Sequence, residues 1–117
     1  MNRFAFAPAA LAAMALAAPA SAADENNRVV TIANLSTQAV REVYASPSDH
    51  DTWEEDLLGN RMLPSAESMR FDIDNGTDEC IYDLKAVLEN DEQYVRTEVD
   101  VCAVATWVIG DAADLLL

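Results

Sequence analysis

The sequence predicts an all-β chain: a small antiparallel β-sandwich of about six strands, stapled by one disulfide and preceded by a cleaved signal peptide. Three observations carry this. Apolar residues recur at every second position in run after run, and no 3.6-residue or heptad pattern competes with them. The runs are separated by short polar segments holding Pro, Gly or Asn-Gly. Only two cysteines are present, Cys80 and Cys102.

Residues 1–22 read as a signal peptide. Arg3 gives a positive start, Phe4 to Leu16 is apolar apart from Pro8, and Ala20-Ser21-Ala22 fits the small-residue cleavage pattern. Pro19 stops a helix before that site. The lone arginine favours general secretion over twin-arginine export. The alternative is a membrane-spanning helix. It requires roughly 20 apolar residues, whereas this stretch is shorter and runs into Asp24-Glu25. No cysteine stands near the cleavage site to carry a lipid anchor. Cleavage removes 22 of the 117 residues, leaving 23–117 as a single domain of 95. The whole chain carries −14; without Arg3 the mature balance is 6 basic against 21 acidic residues, or −15. Such a surface excludes a nucleic-acid partner, because phosphate binding relies on Lys and Arg displacing counterions. It also repels anionic lipid, and no stable membrane insertion is expected after cleavage.

In the exported domain the first strand is Arg28 to Leu35, with Val30, Ile32 and Asn34 on one face. Ser36-Thr37-Gln38 turns into a second strand, Ala39 to Ala45. An irregular stretch, 46–64, follows, in which Trp53 to Gly59 is expected to form one helical turn ended by the glycine. Met69, Phe71 and Ile73 alternate with polar residues, and the Asn75-Gly76 pair behind them predicts a tight hairpin. The next strand, Cys80 to Leu88, places Cys80, Tyr82, Leu84, Ala86 and Leu88 on one face. A turn at 90–93 leads into Tyr94 to Val101, where Val95, Thr97, Val99 and Val101 share a face. Val104 to Ile109 is the last strand, with Trp107 in the core, and 111–117 is an acidic tail.

Two cysteines in an oxidising compartment read as a disulfide. The bridge closes a loop of 22 residues and contributes about 3 kcal/mol. Free thiols or a metal pair are the alternatives, without a CxxC spacing or a neighbouring histidine to support them. Matching apolar faces pairs Leu88 with Val95 and Tyr82 with Val101, which sets Cys80 opposite Ala103. Bridging to Cys102 then requires a bulge or a frayed strand end.

Signals for chemistry are sparse. Asp49, Asp51, Glu55 and Asp56, with His50 and Glu54 among them, form the densest polar cluster. One reading is a calcium site, since hard cations take several carboxylate oxygens; the other is a solvated acidic loop. Asp72 to Asp78 looks like a calcium loop, but its glycine falls at position 5 instead of 6 and position 12 is Asp83. No nucleophile elbow is present, and His50 is the sole histidine. Asn34-Leu35-Ser36 and Asn75-Gly76-Thr77 are formal glycosylation sequons, relevant only in a eukaryotic pathway. Trp53 is either a recognition aromatic or a plug over one end of the sandwich.

The segments Ser46-Pro47-Ser48, Trp53 to Gly59 and Leu63-Pro64, with Cys80 to Val87 and Val99 to Cys102, are distinctive together. This set resembles a family of small exported bacterial single-domain β-sandwich proteins, mostly of unassigned function. Their segments read VSPS…WGxDLLG…LxxG and CxYDLRA…DxC. The resemblance covers about residues 29–108 and implies the same fold, an exported location and a Cys80–Cys102 bridge. This chain departs from the pattern at Glu54, and at Ser65-Ala66, where the family often carries glycine.

The expected function is therefore an exported, non-enzymatic module, periplasmic or secreted, that binds a protein or envelope partner with no cofactor. The alternative is a calcium- or metal-binding protein, or a metal-dependent enzyme, using the acidic loop 49–56.

Overall fold

The computed structural model describes residues 27–73 and 76–117. The expected signal segment and Asn75 lie outside them. Among the described residues, seven strands form two sheets: β1 (Val29–Asn34), β2 (Val40–Pro47), β3 (Glu67–Asp72), β4 (Ile81–Leu88), β5 (Gln93–Asp100), β6 (Thr106–Ile109) and β7 (Asp114–Leu116). One sheet has the order β3-β1-β6-β7 and the other β2-β4-β5. The alternation read in β1 and β4 sets their inner faces: Val30, Ile32 and Asn34 are buried, as are Tyr82, Leu84, Ala86 and Leu88. Both sheets contribute to one apolar core, in which Trp107 is fully buried.

Four expectations are corrected. The strands are not all antiparallel, because β1 and β6 run parallel, with Ile32 beside Trp107. Asn75-Gly76 does not close a hairpin, since β3 pairs with β1 while β4 lies in the other sheet between β2 and β5. Gly76 does take a positive φ of 87°. Local turn chemistry does not choose the pairing; burial of two inner faces decides which strands pair. Residues 57–60 form hydrogen-bonded turns, not a helix, and Gly59 supplies the left-handed φ of 61°. Part of the acidic tail is β7, paired with β6 through Trp107 and Leu116.

The β4–β5 register also differs from the face-matching one. Tyr82 pairs with Val99 and Leu84 with Arg96, so three steps on β5 answer two on β4. The extra residue is a bulge at Glu98, whose φ is 55°. It switches the phase of β5: Val99 and Val101 point inward, whereas Val95 is 49% exposed and Arg96 takes the inner side. The same shift brings the amide of Val101 to the carbonyl of Cys80 at 2.8 Å and sets Cys80 and Cys102 5.4 Å apart at Cα, joined as a disulfide.

Asn34 is the buried polar residue of β1. Its Nδ2 donates to the carbonyls of Gln38 and Leu63, and its Oδ1 accepts from the amide and hydroxyl of Ser36. Both polar side chains of this sequon are thus used inside the fold. Beyond it, Ala66 holds φ at 70° while donating its amide to the carbonyl of Asn34. Ala66 is one of the two residues, Ser65-Ala66, at which the chain departs from the resembled pattern. The other departure, Glu54, has no positive φ and no such backbone strain.

Candidate binding site

β2 is an edge strand, and the loop that follows it folds back along that edge. The amide of Leu57 donates to the carbonyl of Val43, and the amide of Val43 donates to Oδ1 of Asp56. Asp56 Oδ1 also accepts from the amide of Leu58, and Ser46 Oγ accepts from the amide of Glu54. Farther along, Val40 and Leu63 exchange both backbone hydrogen bonds. The loop therefore occupies the pairing positions of a neighbouring strand. At the far end of β2, Ser48 Oγ donates to Oδ1 of Asp83 on β4, which also accepts the amide of bulge residue Glu98. The SPS, DLLG and YDL segments are thus parts of one device, which fixes this loop and this bulge to the three-stranded sheet.

The loop carries Trp53 across the outer face of the sheet. Tyr44 and Lys85 are cross-strand partners there. The Trp53 ring sits 6.2 Å from Tyr44 at an interplanar angle of 47°, and Lys85 Nζ lies 4.8 Å from the Tyr44 centroid and 5.1 Å from that of Trp53. Two aromatic faces thus hold one ammonium group. The Tyr44 hydroxyl donates to Glu42 Oε1 at 2.7 Å; this bond holds the Glu42 carboxyl below its usual range and raises the Tyr44 phenol. Trp53 is half-buried, its position fixed by groups behind it.

Beside Trp53 is an open pocket of about 140 Å³, lined by Ser46, His50, Asp51, Thr52, Trp53 and Asp83. Ser46 and Asp83 are directly paired on β2 and β4. His50 is tethered by Glu54, with Nδ1 3.3 Å from Oε2, and lies 3.8 Å from Asp49.

The four carboxylates singled out as a possible metal set do different things. Asp49 is exposed beside His50, Asp51 lines the pocket, Glu55 is exposed, and Asp56 is spent on the backbone of β2 and its own turn. Among the described residues, the group of three or more close metal-ligand atoms is Cys80, Asp100 and Cys102, and its two sulfurs are joined to each other. Sequence reasoning found Trp53 but missed Tyr44, Lys85 and Asp83 as its neighbours. Outward alternation on β2 and β4 was the available signal, but the pairing of Tyr44 with Lys85 depends on a register that no local pattern encodes.

No family model matches this chain, and no curated protein matches it. Among solved structures it is similar to a protein from Eubacterium rectale determined by NMR. That match has a TM-score of 0.55 at 13% identity and covers 79% of this chain and 89% of the other. At that identity the likeness concerns the fold alone.

Proposed function

We propose that this chain is an exported, non-enzymatic binding module that engages a protein or envelope partner through the outer face of β2–β4–β5. One observation carries the reading: Trp53 is held at the surface by Tyr44 and Lys85, against a concave polar pocket. An aromatic side chain already ordered before contact contributes to binding without the entropic cost of fixing it. The Cys80–Cys102 bridge is compatible with an oxidising periplasmic or extracellular setting.

Photo-crosslinking from the intact exporting cell tests this. A photoreactive residue at exposed Thr52 is expected to give a discrete adduct that Trp53→Ala abolishes. The same residue at Arg70, exposed on β3 of the other sheet, is expected to give none. Equal adducts from both positions, or none from Thr52, would overturn the reading.

A further inference from the structure

The pocket beside Trp53 also has the chemistry to select what enters it. Small-molecule and cofactor sites usually enclose about 300–1,000 Å³ and are mostly apolar. This one is about 140 Å³, open, and lined by one aromatic residue among polar ones. Its dimensions suit a single side chain entering from a partner surface.

Its charge limits which side chain that is. Asp51 and Asp83 both line it, and Asp49 and Glu54 flank the one titratable base, His50. Asp83 has one oxygen, Oδ1, fully used by Ser48 and the Glu98 amide; among the described residues, Oδ2 accepts no hydrogen bond. A half-buried carboxylate with one unused oxygen beside an indole ring excludes an acidic side chain and leaves a neutral one with a carboxylate to desolvate. A guanidinium satisfies both partners, because its planar fork meets carboxylate oxygens and its face stacks on an aromatic ring. The domain's own charge of −15 adds long-range attraction for a basic partner.

We infer that the pocket lined by Trp53, Asp51 and Asp83 receives an arginine side chain from a basic partner polypeptide. This rests on the reading of the β2–β4–β5 face as a partner surface. Asp83 supplies the fixed acceptor on the pocket floor, Asp51 the second carboxylate, and Trp53 the stacking wall. Lys85 does not line the pocket; its ammonium is already held against the Tyr44 and Trp53 rings.

The test uses the disulfide-bonded domain and the blocked peptide acetyl-Arg-Arg-Arg-amide, followed by amide chemical shifts and by indole fluorescence. Shift changes are expected at residues 46, 48–53 and 83. Asp83→Asn keeps an acceptor for Ser48 and Glu98 while removing the charge, and is expected to weaken binding about tenfold. Glu67→Gln, an equal charge change on exposed β3, is expected to leave it within about twofold. The tri-lysine analogue is expected to bind more weakly than tri-arginine. Equal losses in the two variants would show diffuse attraction and overturn the proposal, as would equal binding of the lysine peptide or shifts spread over both sheets. Should the Thr52 crosslink form while tri-arginine fails to bind, the partner face stands and the arginine pocket falls.

Discussion

At the β2 edge, the backbone of Val43 meets Asp56 and Leu57; at the opposite edges, β5 and β7 are joined by side chains. There Arg96 Nε lies 2.7 Å from Asp114 Oδ2, its Nη2 reaches the Asp114 carbonyl at 3.1 Å, and Trp107 Nε1 donates to the same carboxylate at 2.7 Å. The Tyr94 hydroxyl adds a bond to the carbonyl of Gly110. The first edge is closed by a loop that imitates a strand, whereas the second is closed by an ion pair that ties the two sheets together. The difference lies in what each closure protects. At β2, backbone groups that would otherwise recruit another chain are covered. At β5 and β7, the outer ends of two separate sheets are held in register.

The sharpest way to break this contrast is Asp56→Ala. It leaves the amides of Val43 and Leu58 without their shared acceptor, and urea unfolding is expected to show a loss of about 2 kcal/mol. The variant is also expected to associate at high concentration, as the β2 edge opens. Arg96→Met comes next. Its partner Asp114 is mostly buried while Arg96 is partly exposed, so the loss is expected between the surface and buried limits, at about 1–2 kcal/mol, and the domain should stay monomeric.

Acidity separates the two closures further. The bond from Arg96 holds the Asp114 carboxyl below its usual range, aided by Trp107 and opposed by burial. Folding lowers this pKa, so between the folded and unfolded values the unfolded chain binds the additional proton. The stabilisation is complete above the ordinary aspartate value near 4 and is lost as pH falls through the folded value. The stability gap between the native chain and Arg96→Met is therefore expected to be full at pH 7 and to close in strong acid. A gap that stays constant would assign the loss to packing alone.

Ala66→Gly is the smallest change and the only stabilising one. Relief of the left-handed φ of 70° outweighs the added freedom of the unfolded chain by about 1 kcal/mol. A raised melting temperature with unchanged edge behaviour would show that the strain belongs to neither closure.

The strands were legible where one face alone decides them. Val30 and Ile32 in β1, and Tyr82, Leu84 and Ala86 in β4, alternate with more exposed residues because each strand has one dry and one wetter side there. β5 misled for a physical reason: its apolar Val95 and Val99, with Val101 just beyond it, fit one phase, and the bulge at Glu98 divides them between two. Asp114 was placed in an acidic tail, and Asp56 in a loop with a calcium reading and a solvated one, yet each makes specific bonds to groups distant in sequence. A count of acidic residues carries no information about which of them accept a buried N–H. In the candidate site, Trp53 stood out by type, whereas Tyr44, Lys85 and Asp83 became visible only through strand pairing.

The parallel pairing of β1 with β6 has a kinetic consequence. β1 lies between β3 and β6, so the first strand in the chain sits beside one of the last. As the chain emerges from its N-terminal end, β2, β4 and β5 can assemble and β1 can pair with β3 while β1 still lacks β6 on its other side and Trp107 is still absent from the core. Closing so long a loop is slow. The chain therefore passes through an interval with a completed three-stranded sheet and an unfinished partner. The residues that end this interval, 106 to 116, also carry the carboxylate that locks the two sheets together.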